Sequence, residues 1–154
     1  MLAGQQLARV LGLLQPLMQR AYQQRAQVAV LGFSGRDARL HLAVSAARPA
    51  GSRALADWLR SIDAGGGTPL AEGVRHAGAL LEHAARINPA QRRWLWLFTD
   101  GRCDDAPPAP NAADVRIVVD CEHQRIALGR CLALAQRWRA DYRSPDDLLD
   151  DQAM

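Results

Sequence analysis

WLWLFTDGR, residues Trp94 to Arg102, decides how this chain of 154 residues folds. Trp94 to Phe98 is apolar at every position, so it reads as a strand buried on both faces, as in a parallel sheet. Trp94 and Trp96 are expected to pack into the core on opposite faces of that sheet. Asp100-Gly101 then closes the strand with a turn signal. Working outward, VRIVVDC (115–121) is a second such run, and AQVAVLGF (26–33) a third. GRCDDAPPAPNAA (101–113), rich in Pro and Ala, reads as a loop.

Between these runs the period is helical. Leu7, Val10, Leu11, Leu14, Leu17, Met18 and Ala21 predict a helix from about Leu2 to Arg25, bent at Pro16. Leu55, Trp58, Leu59 and Ile62 predict a short amphipathic helix. Leu70, Val74, Ala77, Leu81 and Ala84 predict another, ending near Asn88-Pro89. Leu128, Cys131, Leu132, Ala135 and Trp138 predict the last, and a short extended piece, ADYR (140–143), follows. SGRD (34–37) is a turn. In ARLHLAV (38–44), Leu40, Leu42 and Val44 alternate with Arg39 and His41, which predicts a half-exposed strand in an antiparallel hairpin at a sheet edge. The expected fold is α/β, a doubly wound, mostly parallel sheet with an antiparallel edge strand. One domain over residues 1–143 precedes an acidic tail, 144–154, that is expected to be only partly ordered.

Composition sets limits. Hydrophobic residues make up 49% of the chain, enough for a core at this length. The net charge of +3 is small and spread, which does not point to nucleic acid. Cys103, Cys121 and Cys131 show no Cys-x-x-Cys spacing, and no signal peptide opens the chain, so reduced thiols in the cytoplasm are expected. No apolar run approaches the roughly 20 residues that span a bilayer. His41, His76, His83 and His123 lack ligand spacing. Asp104-Asp105 reads as a solvated loop or as a supplement to a metal site. No nucleophile–base pair stands out, so covalent or acid–base catalysis has no support in the sequence.

Two residues carry the functional reading. In IDAGGGTPLAEGV (62–74), Thr68 precedes Pro69 at a helix start. It is either an N-cap or a hydroxyl ligand. Asp100 is either a turn residue or a carboxylate ligand. In an open α/β sheet, ligands bind at the carboxyl ends of the strands. A right-handed crossover brings the Thr68 loop to the same side as Asp100. A hydroxyl and a carboxylate are hard oxygens of the kind Mg²⁺ prefers. Gly65, Gly66 and Gly67, with no Gly-Lys-Ser/Thr after them, are not a phosphate loop.

QRAQVAVLGFSG, DAGGGTPLAEGV and RRWLWLFTDGR resemble a von Willebrand factor A domain, in the form found in the D subunit of magnesium chelatase and in related cobaltochelatase subunits. The resemblance covers about residues 1 to 140. It implies a metal-ion-dependent adhesion site, to which Thr68 and Asp100 correspond, flanked by an interaction edge of Gly65, Gly66, Gly67, Gly101 and Arg102. It also implies a non-catalytic subunit that meets an AAA-type chelatase ATPase and a larger chelatase subunit, in insertion of Mg²⁺ or Co²⁺ into a tetrapyrrole such as a cobalamin precursor. A general adaptor for another AAA-type ATPase is the alternative. The family's Asp-x-Ser-x-Ser loop is absent, and so is the first, central strand that carries it. Weak Mg²⁺ binding is therefore expected, with a gap between AQVAVLGF and WLWLF. The upstream reading frame is expected to encode that strand.

Overall fold

A computed structural model describes residues 2–34, 37–46, 57, 70–103, 106–122 and 128–150. In chain order the elements are α1 (Leu2–Gln23), β1 (Gln27–Ser34), β2 (Asp37–Ala46), α2 (Leu70–Ile87), β3 (Trp94–Thr99), β4 (Val115–Asp120), α3 (Arg130–Trp138), β5 (Asp141–Arg143) and α4 (Pro145–Asp150). The helix expected over Leu55–Ile62 lies, apart from Asp57, outside the described residues.

The fold is mixed α/β with a three-stranded parallel sheet in the order β3-β4-β5. Trp94 pairs with Val115 and Thr99 with Asp120, so β3 and β4 run in step. ADYR supplies β5, which pairs with β4 from Ile117↔Asp141 to Val119↔Arg143. The hairpin expected from the SGRD turn is present: β1 and β2 pair antiparallel from Gln27↔Ala46 to Ser34↔Asp37, with irregular register around Val30. Among the described residues the two sheets are separate, and the break falls between AQVAVLGF and WLWLF. Among the described residues neither β1 nor β3 has a partner on its second edge. Nor is β1 buried on both faces: Val28, Val30, Leu31 and Phe33 are half-buried and Ala29 is exposed.

What joins the hairpin to the rest is α2, which touches β1 and β2 and packs Leu70 and Val74 against Leu97 and Val118. Phe33 reaches the same cluster. It lies so close to Gly73 that a β-carbon there would stand 2.8 Å from its ring.

The parallel sheet has two apolar faces, as the continuous runs require. Leu97 and Val118 face α2 and α3, with Cys131, Leu134, Ala135 and Trp138. Ile117 and Val119 face α1 and α4, with Leu13, Cys121 and Leu148. Trp96 and Phe98 lie on this second face. The expectation for the tryptophans is corrected here. Residues two apart on a strand point to the same side, and Trp94 is 49% exposed, beneath the Arg92 guanidinium at 5.4 Å.

Helix faces also shift from the predicted stripes. On α1 the buried positions among residues 8–23 are Leu13 and Met18; Leu13 was not in the expected stripe. On α3 the buried set is Cys131, Leu134, Ala135 and Trp138, while Leu128 and Leu132 point to solvent. Part of the tail is helical: α4 covers Pro145–Asp150, and residues 151–154 lie outside the described residues. Ser144 starts a helix: its hydroxyl accepts the Asp147 N–H at 3.2 Å, and Asp147 Oδ2 accepts the Ser144 N–H at 2.7 Å. That reciprocal cap satisfies two end donors. Pro145 suits the first helical position, and Leu148 buries against α1's Leu13.

Candidate functional site

The carboxyl ends of β3 and β4 converge on a small polar edge. Thr99, the last residue of β3, is 6% exposed. Its carbonyl accepts the Cys121 N–H at 2.8 Å and the Cys131 thiol at 3.5 Å. Its Oγ1 accepts the Gly101 N–H at 3.2 Å. Gly101 takes the left-handed backbone, φ 72°, and tucks against α3. A β-carbon on it would stand 3.0 Å from Cys131 Sγ and 3.2 Å from Arg130 Cβ. The missing side chain thus serves the chain's own packing.

Asp100, the sequence-predicted carboxylate, sits half-buried at this edge. Its Oδ1 accepts the Arg102 N–H at 3.1 Å, the closed turn expected of Asp-Gly. Its Oδ2 lies 3.7 Å from the Arg102 guanidinium. Thr68, Gly65, Gly66 and Gly67 lie outside the described residues, as do Asp104, Asp105 and His123. The structure therefore brings Asp100, Gly101 and Arg102 together and leaves their relation to Thr68 open. Among the described residues no three His, Cys, Asp or Glu side chains gather as a metal site.

A second strand-end carboxylate was missed in the sequence. Asp120 ends β4 beside Thr99. It accepts the Glu122 N–H at 2.9 Å and the Tyr142 hydroxyl at 2.7 Å. The signal was available: VVD closes β4 as FTD closes β3. Partial burial, then the bond to Asp120, pushes the Tyr142 phenol up to about 12. Burial, reinforced by the Asp120 charge, pushes Cys121 up to about 11 and raises Cys131 further. Both thiols stay protonated at neutral pH and are poor nucleophiles. His76 is held by Glu72 at 3.5 Å on α2.

A cavity of about 390 Å³ opens beside α3, lined by Thr99, Gly101, Cys103, Cys131, Leu134 and Arg137 among others. From Pro107 on, the crossover from β3 to β4 is pinned down. Trp138 Nε1 donates to the Pro107 carbonyl at 2.8 Å. Arg116 holds Pro110 O at 3.1 and 3.2 Å. Arg93 Nε reaches Ala112 O at 2.7 Å.

No family model matches the chain. A protein of Mycobacterium tuberculosis (strain ATCC 25618 / H37Rv), described as uncharacterized, is 36% identical over 151 residues, a match taking in 89% of this chain and 23% of that relative. The chain spans about a quarter of the relative's length. No helix among the described residues is long and apolar enough to cross a membrane.

Proposed function

We propose that the chain is a von Willebrand A-type interaction module of a cytoplasmic metallochelatase system, meeting an AAA-type ATPase subunit and a larger chelatase subunit without catalysing a reaction itself. The observation that carries this reading is the placement of Asp100 at the carboxyl end of β3, beside Arg102, at the edge where open α/β sheets take ligands. The parallel sheet with an antiparallel hairpin beside it is compatible with that architecture. On this reading a further strand pairs with the free edges of β1 and β3.

A metal does not carry the proposal. At this edge the described carboxylates are Asp100, already engaged by a guanidinium, and Asp120, already accepting from Tyr142 and the Glu122 N–H, where an octahedral shell needs several oxygens. Mg²⁺ binding by this chain is accordingly taken as weak, and the contact as one that Asp100 and Arg102 make directly. The test is capture of the ATPase subunit by wild type and by Asp100→Ala, with circular dichroism to confirm folding. Loss of capture at an unchanged spectrum supports the reading; equal capture removes Asp100 from it. Capture of a different AAA-type ATPase instead would favour the general adaptor.

A further inference from the structure

No further inference is drawn: the strongest candidate, the surface patch at the start of β3 where the exposed Trp94 ring lies beneath the Arg92 guanidinium, carries nothing, because nothing in the structure shows what covers it.

Discussion

Gly101 and Asp100 are adjacent yet constrained by different physics. Gly101→Ala forces a side chain into a left-handed backbone, worth about 1–2 kcal/mol, and into contact with Cys131 and Arg130. The expected result is a lower urea midpoint with an unchanged slope, by at least that amount. Arg102 holds a positive charge within 3.7 Å of Asp100, where a divalent ion would have to approach. Arg102→Ala is therefore expected to tighten Mg²⁺ binding, by up to about fivefold given that exposed ion pairs contribute about 0.2–1 kcal/mol. Asp100→Ala should remove whatever binding exists. Calorimetric titration of the three proteins checks both. The buried thiols give a pH signature. Cys121 is raised to about 11, above the roughly 8.5 of a free thiol. Its share of stability is whole below the free-thiol value and drains away as pH rises towards 11. Denaturation midpoints should fall between these values, and Cys121→Ala should flatten that fall.

Helices and strands were more legible than their faces. WLWLF, VRIVVDC and AQVAVLGF all supply strands because short, mostly apolar runs rich in Val, Ile, Phe or Trp fit a sheet. The stripe on α3 was misassigned because Leu128 and Leu132 are as apolar as Leu134, and composition cannot say which side meets the sheet. The helix within the tail was not legible because acidic residues mask a cap: Ser144, Pro145 and Asp147 form a helix start, and Leu148 packs it against Leu13. Ser144→Ala should cost about 1 kcal/mol, read as an earlier thermal transition. Thr68 reads two ways because a Thr-Pro helix start offers the same hydroxyl to a cap or to a ligand. On α2, Gly73 tests how the hairpin is docked. Helix propensity favours Ala there by about 1 kcal/mol, but the new methyl would strike Phe33. Gly73→Ala is expected to destabilise the protein, and Gly73→Ala with Phe33→Leu to recover most of the loss in the same denaturation assay.

At the scale of the whole molecule, two sheets share one helix. The hairpin meets the remainder through α2 and Phe33 and has no strand pairing to β3. Its amides should exchange with solvent faster than those of β4, which is paired on both sides, and through a smaller opening free energy. Equal protection across both sheets would mean that they open as one unit. The crossover from β3 to β4 makes the opposite case. Parallel strands are usually linked through a helix; here the described residues between Asp100 and Asp114 include none. Trp138 on α3, Arg116 on β4 and Arg93 just before β3 instead hold three of its carbonyls. An engineer choosing where to splice a tag or fluorescent reporter would pick this Pro- and Ala-rich stretch from the sequence. The graft would pull those anchors from α3, β4 and the start of β3 at once, so the most loop-like segment of the chain is among its least permissive.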